Sequence, residues 1–210
     1  MAHLLHLDAS PRGDRSLSRR LTHEFATAWK QAHPEGTVTY RDVGRDPVPP
    51  VDEAWVAAAY VAPERHTPQQ QAALSISNRL VDELLAADLC VLGTPMYNFS
   101  IPSALKAYID QIVRIGRTFA FDPHNSENPY QPLVTGKQLV IIATRGGSGF
   151  GVGGANAAMN FQTPYLSSIF GFLGITDVAV VEVENDEVGG QTLAAEVAAA
   201  QAKIAHLAGA

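Results

Sequence analysis

Apolar residues along the chain follow two rhythms. Short runs such as Leu4-Leu5 with Leu7, Leu89-Cys90-Val91-Leu92 and Leu139 to Ala143 are continuous. Between them lie longer stretches in which apolar residues return every three or four positions. The first rhythm predicts strands buried on both faces, the second amphipathic helices. His3 to Leu7 predicts the first strand. Leu17, Leu21, Phe25 and Ala28 then share one side of a helix from about Ser16 to Ala32, ended by Pro34-Glu35-Gly36. Thr37 to Arg41 alternates Val38 and Tyr40 with polar residues, a short strand near an edge.

Asp46-Pro47-Val48-Pro49-Pro50 is irregular, and Asp52 to Val61 is helical in pattern. Ala62 to His66 reads as a loop. Thr67-Pro68-Gln69-Gln70 combines a threonine cap, proline at the first helical position and glutamine three residues after the cap, opening a helix to about Ala86. Asp88 to Gly93 is the third strand. Thr94 to Ser100 leaves it as a loop, and the helix begun near Pro102 turns Leu105, Ile109, Ile112 and Val113 inward. Arg117 to Pro132 is a long irregular excursion, whose length marks a functional loop. Gln138 to Ala143 is the fourth strand, Gly149 to Gly154 a mobile glycine-rich turn, and Thr163-Pro164 starts a helix through Leu173. A valine-rich strand, Asp177 to Glu184, and an alanine-rich helix, Leu193 to Leu207, close the chain.

Strand and helix therefore alternate throughout. Five strands, most of them buried runs, predict a doubly wound α/β fold with a parallel sheet in the order 2-1-3-4-5 and helices on both faces. The switch point lies between the first and third strands, and ligands bind beyond the carboxyl ends there. No repeat, linker or second domain is visible, and 210 residues suit a single domain from residue 1 to 210.

Composition narrows the function. A net charge of −6 argues against nucleic acid as a partner. A single cysteine, Cys90, excludes internal disulfides and sits in an apolar run as a buried filler. Neither a signal peptide nor a membrane span is apparent, which makes a cytoplasmic protein the default expectation. The seven histidines have no metal-ligand spacing, and no nucleophile elbow occurs. His6 reads as a core or sheet histidine.

Chemistry concentrates in three strand-end loops. Asp8 to Ser18 joins strand to helix through Ser10, Gly13, Ser16, Leu17 and Ser18. Helix N-terminal N–H groups lack intrahelical partners and lie at the positive end of the dipole, so this turn suits a phosphate; the plain alternative is that Ser16 only caps the helix. It lacks the glycine patterns of dinucleotide and triphosphate loops. Hydroxyls suit a terminal phosphomonoester, such as that of FMN. Met96-Tyr97-Asn98-Phe99 puts large side chains in a turn, giving apolar contact for a flat ring; packing under the next helix is the alternative. Thr144-Arg145-Gly146-Gly147 lets backbone N–H groups approach such a ring, or is a mobile turn. Gly149 to Gly154 matches G-x-G-x-x-G but does not join a strand to a helix. On the helix from Pro164, Tyr165 and Phe172 form a second apolar edge, open to either a wide buried face or another chain.

These loops, with Ile101 to Lys106, Thr163 to Leu166 and Gly171 to Ile175, resemble the FMN-dependent NADH-azoreductase family over nearly the whole chain. The resemblance implies a flavodoxin-like fold and a homodimer with active sites at the interface. It implies FMN contacts from Ser10, Ser16 to Ser18, Met96 to Phe99, and Thr144 to Gly147. It also implies a substrate site with Asn98 and Phe99, walled by Phe121 and, from the partner subunit, Phe172. The family often has tyrosine where Phe121 stands, and the Gly149 to Gly154 insert departs from the common pattern. The expected activity is ping-pong, two-electron reduction of quinones or azo compounds, with NADH or NADPH as donor. No side chain is required as acid or base, because the cofactor carries the chemistry. The alternatives are a flavodoxin-type electron carrier and, more remotely, a nucleotide-binding regulator.

Overall fold

A computed structural model describes residues 1–209. Five parallel strands form one sheet: β1 (His3–Asp8), β2 (Thr37–Asp42), β3 (Leu89–Pro95), β6 (Gln138–Thr144) and β7 (Asp177–Val183). Their order is β2-β1-β3-β6-β7, the doubly wound order that alternation of strands and helices predicts once the hairpin described below is set aside. All four pairings are parallel.

Side-chain alternation along each strand feeds two cores. Leu5, Leu7, Leu92 and Ile141 pack toward α4 (Ser75–Ala86), α5 (Ser103–Ile112) and α6 (Thr163–Leu173) through Leu80, Ile109 and Leu166. Leu4, Val91, Val140 and Ile142 pack toward α1 (Leu17–Ala32) and α7 (Gly190–Ala208) through Leu21, Phe25, Trp29 and Ile204. Each such side chain contributes about 1.5–3 kcal/mol by leaving water. Cys90 lies in the first of these cores, and burial pushes its thiol up to about 12, so it is a filler and not a nucleophile. No helix among the described residues is long and apolar enough to cross a membrane.

Two elements differ from the sequence expectation. The helix expected from Thr67 to Ala86 is two helices, α3 (Pro68–Ala73) and α4, joined at Leu74. Its predicted start is present: Thr67 and Gln70 form a reciprocal capping box. No breaker marks Leu74; it is buried against Ala58 and Ala59 at the end of α2 (Glu53–Ala59), whereas Leu80, Val81 and Leu84 face the main core. One straight helix cannot serve both clusters. The excursion from Arg117 to Pro132 is also not irregular throughout. Phe119–Phe121 (β4) and Tyr130–Pro132 (β5) pair as an antiparallel hairpin. Strands of three residues are too short for alternation to reveal.

Candidate functional site

The loops after β1, β3 and β6 meet at the carboxyl end of the sheet. Ala9 N–H donates to Gly93 O at 2.9 Å, tying the first loop to β3, and Met96 N–H donates to Thr144 O at 2.8 Å, tying the second loop to the third. The sequence expectation that topology would join the serine turn with Met96–Phe99 and Thr144–Gly147 is therefore met.

In the serine turn Ser10, Ser16, Leu17 and Ser18 are all buried. Ser16 is the N-cap of α1: its Oγ accepts from Arg19 N–H at 3.4 Å and lies 3.1 Å from Ser18 Oγ. Capping does not exhaust the turn. Ser16 and Arg20 N–H groups have backbone acceptors, but those of Leu17 and Ser18 have none among the described residues. Two free N–H groups at the positive end of a 16-residue helix, beside three hydroxyls, are a donor set for an anion.

Tyr97 and Ser100 exchange backbone hydrogen bonds at 2.9 and 3.0 Å around a two-residue turn. Asn98 and Phe99 both have positive φ, at 49° and 69°. Asparagine tolerates this region, whereas phenylalanine is strained there. The strain is held from outside: Phe161 N–H donates to Phe99 O at 2.9 Å, and the Phe99 ring lies 6.2 Å from Phe150. Tyr97, Asn98 and Phe99 are consequently exposed, and packing under the next helix does not explain them.

The third loop is organised by Arg145, which is fully buried. Its guanidinium meets Glu182, Glu184 at 3.0 Å, Gln162 at 3.1 Å and Thr163 at 3.3 Å. Its backbone N–H donates to Val183 O at 2.9 Å. Arg145 thus supports the loop and faces its own protein partners. A Cβ at Gly146 would meet only the movable end of the exposed Glu187 side chain. The turn at Gly149, expected to be mobile, is anchored, since Gly149 and Phe150 N–H groups donate to the Glu184 carboxylate at 2.6 and 2.9 Å.

Phe121 and Phe172 lie elsewhere. They belong to one aromatic cluster: the Tyr130 ring is 5.4 Å from Phe121 and 5.6 Å from Phe172, and Phe119 is 5.1 Å from Phe172. Helix α6 starts at Thr163 beside Arg145, and Phe172 is nine residues on, about 14 Å along the axis toward the amino end of the sheet. Val134 N–H donates to Leu173 O at 2.9 Å there, holding the hairpin on the same end. Neither aromatic lines the crevice of its own chain.

Sequence reading takes Asp8, at the end of the first strand, as an anchor for the helix side, which it is, but misses Arg19, Tyr40 and Asp42 behind the serine turn. Asp8 and Asp42, at the ends of β1 and β2, face Arg19 of α1. Thr22 Oγ1 donates to Asp8 at 2.7 Å and Tyr40 Oη at 2.9 Å. His6, a sheet histidine as expected, is buried edge-on to Tyr40 with Nε2 3.5 Å from Asp8. Burial works against the Asp42 carboxylate, but hydrogen bonds from Arg19 and the Arg45 backbone outweigh it and hold its pKa below the ordinary value. A cleft of about 850 Å³ between α1 and β2 is lined by His6, Asp8, Ser16, Arg19 and Tyr40 among others. Carboxylates ending two successive strands beside a helix arginine were the signal available for it.

The whole chain has known relatives. Residues 2–207 match the family described as having a flavodoxin-like fold. The chain is 52% identical over 207 residues to an FMN-dependent NADH:quinone oxidoreductase of Trichormus variabilis, covering 98% of each. It is 51% identical to an FMN-dependent NAD(P)H:quinone oxidoreductase of Pseudomonas aeruginosa, covering 91% of each. Among solved structures, an azoreductase of Bacillus anthracis superposes with a TM-score of 0.88 at 26% identity, over 100% of this chain and 99% of that one. With the doubly wound sheet and the three loops at its carboxyl end, these matches place the chain in the flavodoxin-like family, among the FMN-dependent NADH:quinone oxidoreductases.

Proposed function

We propose that this protein is an FMN-dependent reductase that takes electrons from NADH or NADPH and delivers them to quinones and, by the same route, to azo compounds. The observation that carries the reading is the buried serine turn after β1, with free Leu17 and Ser18 N–H groups, on a strand paired with β3, whose following loop exposes Tyr97 and Phe99. That pairing fits a phosphate at one end and a flat apolar ring at the other. FMN supplies two-electron redox chemistry when bound. The chain's part is to hold and orient it. Ser10, Ser16 and Ser18 hydroxyls, with the Leu17 and Ser18 N–H groups, hold the phosphate. Met96 to Phe99 contact the ring, and the backbone of Thr144, Gly146 and Gly147 edges it, kept in place by Arg145.

One crevice cannot seat two flat reactants within the ~3–3.5 Å that reaction needs, so donor and acceptor enter in turn. Purified protein should be yellow, oxidise NADH steadily with a quinone, and give parallel double-reciprocal lines at several quinone concentrations. A flavin-bearing protein without quinone-dependent NADH oxidation would be an electron carrier. A protein that binds no flavin would be a nucleotide-binding regulator.

The same reading includes a homodimer. Phe121 and Phe172 sit at the amino end of their own sheet, so they reach a crevice only in a second copy. Phe172→Ala should change the acceptor KM while leaving FMN bound; a fully active monomer at assay concentration would refute the shared site.

A further inference from the structure

We propose that Arg19 is a positioning residue that holds the Ser10 carbonyl away from the anion site and so sets the preference for a phosphorylated over an unphosphorylated flavin. This rests on the reading that the serine turn takes the FMN phosphate. Ser10 and Pro11 share a peptide bond. Proline has no N–H, so the only polar group of this peptide is the Ser10 carbonyl oxygen. Pointed into the turn, that oxygen would face a phosphate with like polarity.

Arg19 prevents this. Its Nε donates to Ser10 O at 2.7 Å. The guanidinium is itself gripped by Asp42, with one nitrogen at 2.6 Å and the other closer still, and lies 3.6 Å from Asp8. Glycine at position 44 leaves room for the turned carbonyl, since a Cβ there would collide with Ser10 O. The backbone N–H of Arg19 meanwhile donates to Ser16 Oγ at 3.4 Å. A single residue therefore fixes both ends of the turn, Ser10 through its side chain and Ser16 through its backbone.

Charge gives a second reason. Asp8 and Asp42 are two carboxylates close behind an anion site, and the Arg19 side chain meets both. Without it they would oppose a phosphate at short range through a partly buried region, where screening is weak. Neither effect touches the ring end of the ligand. Riboflavin, which has the ring but no phosphate, is therefore the discriminating probe.

The experiment titrates the full-length, flavin-free chain with FMN and with riboflavin, for wild type, Arg19→Met and Arg19→Lys. Arg19→Met should weaken FMN by about 10–100-fold, the range covered by one charge-assisted hydrogen bond. Riboflavin affinity should stay within about 3-fold, less than the smallest effect of such a bond. Arg19→Lys keeps the charge but not the fork, and should fall between. If Arg19→Met does not fold, Arg19→Lys makes the same comparison, its FMN-to-riboflavin affinity ratio falling below that of wild type. Equal losses for both ligands, or an unchanged ratio, would overturn the positioning role. Wild type that binds riboflavin as tightly as FMN would instead overturn the phosphate reading itself, before any variant is made.

Discussion

Two arginines flank the three loops, and they do different work. Arg19 stands behind the loop after β1, with Asp8 and Asp42 as partners; Arg145 stands in the loop after β6, with Glu182 and Glu184. The Arg145 side chain is 1% accessible and that of Arg19 is 11%. Arg145 binds side chains of α6 and of the β7 end, so it ties three elements of the fold together. Arg19 joins α1 to two strand ends but spends its Nε on a loop carbonyl. One ion network holds the scaffold and the other shapes the turn. Removing the first should cost stability; removing the second should cost ligand affinity.

The largest effect expected is therefore global. Arg145→Ala leaves two glutamates facing a vacated buried site, and breaking a buried pair costs about 3–5 kcal/mol. In a chain of this size that lowers Tm by about 6–20 °C. A loss near zero in thermal or urea unfolding would mean that Arg145 is no more a scaffold residue than Arg19. The next effect is local. Ser16→Ala with Ser18→Ala removes two hydrogen bonds to a phosphate, each worth about 1.5–3 kcal/mol. FMN affinity should fall by at least about a decade, while loss of the Ser16 cap costs about 0.5–2 kcal/mol of stability, less than Arg145→Ala. Unchanged affinity in the folded double variant would move the anion site elsewhere.

How much of this division was written in the sequence can be judged residue by residue. The strand order and the three loops were legible, because uninterrupted runs such as Leu139 to Ala143 report burial on both faces and loops follow directly from strand ends. Ser16 was legible in both its roles, as cap and as candidate donor. Arg145 was visible only as a member of a glycine loop; its burial depends on glutamates 37 and 39 positions away, which no local pattern reports. Arg19 was harder still, since a helix arginine three residues after a cap normally points to solvent. Its inward turn depends on Asp8 and Asp42 ending adjacent strands. The hairpin of Phe119–Phe121 with Tyr130–Pro132 escaped for a different reason, its length, and with it the shared location of Phe121 and Phe172.

Acid separates the two networks at an intermediate scale. The Asp42 pKa is held below its ordinary value in the folded chain, so its contribution is fully present above the unfolded carboxylate range. It is lost as pH falls below the ordinary aspartate range and through the lower folded value. Urea midpoints measured from pH 5 down to 3.5 should therefore drop more steeply for wild type than for Asp42→Asn, which has no proton to gain. Parallel profiles would remove Asp42 from the set of groups that link folding to protons.

The smallest effect concerns Tyr40, and it tests whether the Arg19 network acts as a unit. Its hydroxyl donates to Asp8 at 2.9 Å and accepts from Arg19 Nη1 at 3.1 Å. Burial, together with the Asp8 charge, pushes the phenol well above its ordinary range, so it remains a donor at every working pH. Tyr40→Phe deletes that donor, but Asp8 keeps Thr22 and Arg19 keeps Asp42. Tyr40 is half exposed and both charged partners keep other bonds, so the loss should be about 0.5–1.5 kcal/mol. Because Ser10 is held by Arg19 Nε and not by Tyr40, FMN affinity should change by less than about 2-fold, below the effect of any single bond to the ligand. A tenfold loss of affinity in Tyr40→Phe would show that the turn is set by the whole cluster of Asp8, Tyr40, Asp42 and Arg19. Arg19 would then resemble Arg145, a residue whose loop function cannot be separated from its place in the fold.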